Sequence, residues 1–183
     1  MAGILFDKYL VKKLISIFVL FFVLTSSFKT NSAIDTNAKI KAVFIYNFTK
    51  YIEWPQSYKE GDFTIGIIGE TSLYSELIKM TETKKVANQT LEVKKFSSPS
   101  EVTKCHILYI SKDKSADLAD IIKKLKNSST LLVTEENGLV DKGAGINFII
   151  KENRQKFELN KGNVERYKLK VSSNLEALAF TVK

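Results

Sequence analysis

The sequence predicts a three-layer α/β/α sandwich of Rossmann-like type, on a mostly parallel sheet that closes with a C-terminal antiparallel hairpin. Three observations carry this. From residue 63 onward, β-branched runs alternate with amphipathic stretches of helical period. The run 106–110 is continuously apolar after His106, as in a strand buried on both faces of a parallel sheet. Runs 146–150 and 155–159 are joined through Lys-Glu-Asn-Arg, the spacing of a hairpin.

Each element has its own signal. A first helix is predicted over 36–54, where Ile40, Phe44, Phe48 and Ile52 recur every four residues and Val43, Tyr51 and Trp54 widen the stripe. Most of that stripe is expected to pack on the sheet. Pro55 disfavours helical conformation at Trp54 and sets the end. A strand over 63–68 leads through Gly69 into a helix capped near Thr71 or Ser72, carrying Leu73, Leu77 and Met80. Residues 91–96 alternate as a half-exposed strand. A helix over 116–126 places Leu118, Ile121, Ile122 and Leu125 on one side, a strand follows at 130–134, and 137–145 is rich in turn residues. A short helix follows Asn160. The last helix opens at Ser173, with Glu176 at capping-box spacing and Leu175, Leu178 and Ala179 as its buried face. Residues 36–183 read as a single domain.

The first 33 residues follow a different order. Lys8, Lys12 and Lys13 precede an apolar run at 14–24, which gives way to small polar residues, the layout of a secretory signal peptide. The run falls short of the roughly 20 residues a helix needs to span a bilayer. Cleavage is expected after Ala33, with Ser27 as a second position; the alternative is an uncleaved N-terminal anchor. The protein is expected to be exported.

Without this leader, which holds Lys8, Lys12, Lys13 and Lys29 against Asp7, the formal charge falls from +8 to +5, with 24 basic and 19 acidic residues. Only Arg154 and Arg166 are arginines, and the lysines are scattered. Nucleic acid is therefore not an expected partner, since its recognition uses clustered basic groups with base-reading residues in register. Cys105 is the single cysteine. It allows no intramolecular disulfide and is expected to be a buried thiol.

Catalytic chemistry finds little support. Cys105 and His106 are neighbours on an extended run, so their side chains point to opposite faces and cannot pair. His106 is the only histidine, which leaves no His-to-His metal spacing, and no metal or other cofactor is expected. Gly66 and Gly69 flank a strand-to-helix junction without a dinucleotide or Walker fingerprint, and Glu70 puts negative charge where a phosphate would sit. Glu135 and Glu136 read as solvated loop carboxylates. An enzyme would need Glu135, Glu136 or Asp141 to converge with Lys50 or Asn147 in one cleft.

Polar residues inside apolar patterns stand out instead: Asn47 and Lys50 in the first helix, Asn147 in the hairpin, Asn160 after it, and Ser172, Ser173 and Asn174 before the last helix. Capping and loop-tying explain some of them, Asn160 and Ser173 being well placed as N-caps. The other reading is a polar pocket or a partner-facing groove.

Tyr46-Asn47-Phe48, Lys50 and Trp54-Pro55 together resemble the opening signature of the YfiR-like (HmsC-like) family. The likeness continues in order through Ile67-Ile68-Gly69, the run from Cys105 to Ile110, Gly143-Ala144-Gly145-Ile146-Asn147-Phe148, the run 157–160 and the run 169–175, spanning 38–182. It implies a small periplasmic α/β protein without catalytic activity. It also implies a repressor that binds the periplasmic sensory domain of a membrane diguanylate cyclase, restraining cyclic-di-GMP synthesis, exopolysaccharide and biofilm. An outer-membrane lipoprotein as sequestering partner and a tendency to homodimerise are implied too. Members with several cysteines use disulfides, which Cys105 alone cannot form. Partner or ligand contacts are expected at Asn47, Lys50, Trp54, Asn147, Asn160 and Ser173, with Pro55, Gly69, Cys105, Gly143 and Gly145 as structural motif residues. The alternative is a periplasmic small-molecule-binding module near Gly69, Thr134 and Asn137.

Overall fold

The structure, a computed structural model, describes residues 35–183. The signal-peptide expectation lies outside the described residues. In chain order the elements are α1 (Thr36–Tyr51), β1 (Ile52–Glu53), β2 (Phe63–Ile68), α2 (Leu73–Thr81), β3 (Lys85–Val86), β4 (Gln89–Phe96), β5 (Ile107–Ile110) and α3 (Leu118–Lys124). They continue as β6 (Leu131–Thr134), β7 (Ile146–Lys151), β8 (Arg154–Leu159), α4 (Lys161–Arg166), β9 (Lys170–Val171), α5 (Ser173–Leu178) and β10 (Thr181–Val182). The fold is mixed α/β. Eight strands form one mostly parallel sheet in the order β10-β8-β7-β6-β5-β2-β4-β3, and β1 pairs with β9 in a separate antiparallel ribbon.

The strand chemistry explains this arrangement. Every residue of β2, β5 and β6 is buried, as expected for central parallel strands rich in Ile, Leu and Val. β7 and β8 pair antiparallel from Ile146–Leu159 to Lys151–Arg154. Their two-residue connection, Glu152 and Asn153, has positive φ at both positions, the backbone that matches the twist of a tight hairpin. On the face covered by α1, Phe48 meets Phe157 edge-on at 5.2 Å and Phe148 at 6.0 Å, while Phe44 meets Phe157 at 5.5 Å. Each such pair adds about 0.5–1.5 kcal/mol beyond its buried area.

The structure corrects the first helix in two ways. Its buried face is Ala38, Ala42, Ile45, Phe48 and Thr49, whereas Ile40 is 36% and Val43 45% exposed. At 3.6 residues per turn, positions 38, 42, 45 and 49 share one side and positions 40, 43 and 47 lie on the other. Two of its five buried positions are alanines, which a search for large apolar residues overlooks. It also stops at Tyr51, because Ile52 turns extended and enters the ribbon with β9. The N-cap of α1 is Asp35, whose carboxylate accepts from the Asn37 and Ala38 amides, both at 3.1 Å.

The last helix differs as well. Its cap is Ser172, whose hydroxyl accepts from the Leu175 amide at 3.3 Å, and Ser173 is the first helical residue rather than the cap. Leu175 is buried, but Leu178 is 54% exposed. The helix has only six residues, and Ala179 is already extended toward β10.

Candidate functional site

Two surfaces gather the residues singled out in the sequence. The first is the outer face of α1, where Ile40, Val43, Phe44 and Asn47 line a groove of about 250 Å³ with Lys39. Phe44 is held from below by its ring contacts, while Ile40 and Val43 remain uncovered. α1 packs against α5, whose end carries exposed Leu178, followed by Phe180 at 45% exposure.

The second surface lies at the amino ends of β2 and β5, where Lys50 and Trp54 share a cleft of about 420 Å³ with Tyr58, Phe63, Gln89 and His106. Trp54 is buried, edge-on to Phe63 at 5.1 Å, and its Nε1–H donates to the His106 carbonyl at 3.2 Å. Phe63 stacks on the His106 ring at 4.1 Å. His106 bridges two segments: Nδ1 accepts from the Thr64 amide at 3.1 Å, and Nε2–H donates to the Tyr58 carbonyl at 2.6 Å. That pattern requires the neutral ring with its proton on Nε2. Lys50 is exposed and lies 4.7 Å over the Tyr46 ring.

This bridge has a pH consequence. Burial holds the His106 pKa below its ordinary 6.5, and the charge on Lys104 adds to the effect. Protonation would also turn a second N–H toward the Thr64 amide. Because the unfolded chain binds this proton more readily, the contribution is complete above about pH 6.5 and declines as pH falls through the depressed folded value. Urea denaturation is expected to show stability dropping as pH falls below about 6.5, and His106→Gln is expected to flatten that slope. Asp35, Glu92 and Asp113, all lowered by hydrogen bonds to their carboxylates, lose their contributions only in the acid range below. An unchanged slope in His106→Gln would place the pH dependence elsewhere.

The remaining singled-out residues lie apart from these surfaces. Asn147 is fully buried; its carbonyl oxygen accepts from the Thr134 hydroxyl at 2.7 Å and its amide donates to Glu158 at 3.3 Å. Asn160 caps α4 by accepting from the Asn163 amide at 3.0 Å, and its own amide donates to the Val140 carbonyl. Ser173 is exposed at the start of α5. Gly143 has φ +117 and faces Ile122, the Gly145 backbone lies against Val164, and Pro55 extends the chain out of β1. Cys105 is buried beside Gly66, away from the Phe63–His106 stack, and burial pushes its thiol up to about 12. Glu135 pairs with Lys41, Glu136 with Lys112 and Asp141 with Lys183, so the three carboxylates turn to three different lysines. Among the described residues, no group of three or more His, Cys, Asp or Glu is placed to hold a metal, and no helix is long and apolar enough to cross a membrane.

A family model described as YfiR/HmsC-like matches residues 38–179. The chain belongs to the YfiR/HmsC-like family. The match runs from the first turn of α1 to the end of α5 and includes both surfaces described above. No curated protein matches the chain.

Proposed function

We propose that this YfiR/HmsC-like protein is an exported, non-enzymatic regulatory protein of the periplasm. It docks onto the periplasmic part of a membrane diguanylate cyclase or similar signalling enzyme and restrains it, limiting cyclic-di-GMP, exopolysaccharide and biofilm. The observation that carries this reading is the outer face of α1. Ile40 and Val43 stand uncovered on a helix whose opposite side already supplies the core contact. An apolar stripe rimmed by Lys39 and Asn47 has the make-up of an interface centre with a polar rim. Leu178, exposed at the end of α5 beside it, extends the apolar surface toward the area that stable recognition needs. A homodimer and an outer-membrane lipoprotein as a second partner belong to the same proposal. So does the three-layer arrangement of helices on the sheet, supported by the burial of β2, β5 and β6 at every position.

The test uses the double variant Ile40→Glu with Val43→Glu. Both side chains face solvent, so the melting temperature is expected to stay close to that of the parent, surface changes usually costing within about 0.5 kcal/mol each. Capture of the membrane enzyme by the mature protein is expected to fail, and cyclic-di-GMP is expected to rise as it does on deletion of the gene. A folded double variant that still captures and represses the enzyme would overturn the reading, as would unchanged cyclic-di-GMP in the deletion strain.

A further inference from the structure

We propose that a third cleft, at the carboxyl end of β6, binds a neutral polyhydroxylated molecule of monosaccharide size. It lies between the first turns of α1, the loop after β6 and the β7–β8 hairpin, and encloses about 300 Å³. Ligands of open parallel sheets sit outside the carboxyl ends of strands, and the volume is at the lower end of the roughly 300–1,000 Å³ usual for small-molecule sites. The proposal is independent of the docking surface on α1.

The lining specifies the ligand. Asn37, Lys41, Glu135, Asn137 and Gln155 supply polar groups, while Phe148 and Ile150 supply an apolar side. The two charges cancel: Lys41 and Glu135 form an ion pair with side chains only 16% and 19% exposed. The second Glu135 oxygen accepts from the Lys112 amide at 3.1 Å. An ionic ligand would have to break this pair and strand a half-buried charge, which is costly. A neutral ligand need not.

Gln155 supplies the second observation. It is 7% exposed and sits opposite Ile150 in the hairpin, on the same face as the Phe148–Phe157 pair that α1 covers. Its amide nitrogen donates to the Ile149 and Lys156 carbonyls at 3.0 and 3.1 Å, which fixes the side chain. Its Oε1 is buried with no hydrogen-bond partner. A stranded buried acceptor costs about 1–3 kcal/mol, and such groups in native proteins call for a partner. Gln155 lines the cleft, and a donor on the ligand would satisfy this oxygen. Asn37 and Asn137, both exposed, offer donor and acceptor together, a pairing that hydroxyl groups answer because each hydroxyl both donates and accepts. Ile150, 53% exposed, suits the C–H face of a sugar ring.

The test is a titration of the mature protein with glucose, galactose and N-acetylglucosamine, with glutamate and lysine as charged controls, followed by amide NMR and calorimetry. At least one sugar is expected to give saturable shifts of the Gln155 and Asn137 side-chain amides. Asn37→Ala with Asn137→Ala is expected to keep the parent melting temperature and weaken that sugar about tenfold or more, the equivalent of one good polar contact. Gln155→Leu is expected to abolish binding; because it also frees two hairpin carbonyls, the asparagine variant is decisive if Gln155→Leu unfolds. The proposal is overturned if no sugar gives saturable shifts, if only the charged controls bind, if the shifts map elsewhere, or if the asparagine variant binds like the parent.

Discussion

Trp54→Ala is expected to destabilise the domain by about 3–5 kcal/mol, the range for deleting a large buried aromatic side chain. Trp54 is 5% exposed and is wedged edge-on against Phe63, with the His106 ring centroid 5.9 Å away. Its removal leaves a void between α1 and the amino ends of β2 and β5. The surrounding rings are tied to backbone through His106 and through the Tyr58 hydroxyl, which accepts from the Ser129 amide at 3.0 Å. They can collapse into the void only by giving up those bonds. The His106 carbonyl also loses the indole donor, although it still accepts from the Leu131 amide at 2.8 Å. Trp54→Phe separates the effects: it keeps most of the packing and drops the hydrogen bond, at an expected cost of about 0.5–1.5 kcal/mol. Both are read as the shift in urea midpoint at unchanged slope. A loss under about 1 kcal/mol for Trp54→Ala would mean that the cleft closes without it.

How much of this was legible in the sequence depended on the kind of signal. The central strands announced themselves, because Ile65, Ile67, Ile68 and the run 107–110 are apolar on both faces and only a doubly covered strand tolerates that. The hairpin was equally plain. The orientation of α1 was not, since its buried face includes Ala38 and Ala42, and alanine pulls weakly on any periodicity that weights large side chains. Ribbons of two residues, such as β1 with β9, have no local pattern at all; they exist because distant segments meet. The sites followed the same division. Lys50 and Trp54 stood out by type, but their cleft is completed by His106, 52 residues beyond Trp54. Lys41 and Glu135 pair across 94 residues, and only the folded chain shows that Glu135 is committed to that lysine rather than to Lys50. Gln155, on an ordinary polar position of a strand, gave no sign that its carbonyl oxygen would be left without a donor.

Gly69→Ala is expected to cost about 3 kcal/mol or more, from two separable contributions. The first is conformational: Gly69 has φ +92, a region that L side chains rarely adopt, and holding alanine there costs about 1–3 kcal/mol. The second is steric. A Cβ at this position would overlap the Ser111 hydroxyl and come within 2.7 Å of the Asp113 carboxylate and the Lys114 stem. Ser111 cannot simply turn aside. It is fully buried, its one hydroxyl proton is shared between the Ile68 carbonyl at 2.9 Å and the Asp113 carboxylate, and its amide donates to the same carbonyl at 3.1 Å. These bonds join the carboxyl ends of β2 and β5, so displacing the serine loosens the centre of the sheet. A double-mutant cycle with Ser111→Gly tells the two contributions apart. In that background the closest overlap is gone, the exposed Asp113 and half-exposed Lys114 side chains can turn aside, and Gly69→Ala is expected to cost mainly the conformational part, about 1–3 kcal/mol. Equal costs in both backgrounds would show that the serine gives way freely. A cost below about 1 kcal/mol in both would show that the turn out of β2 does not need the left-handed backbone at all.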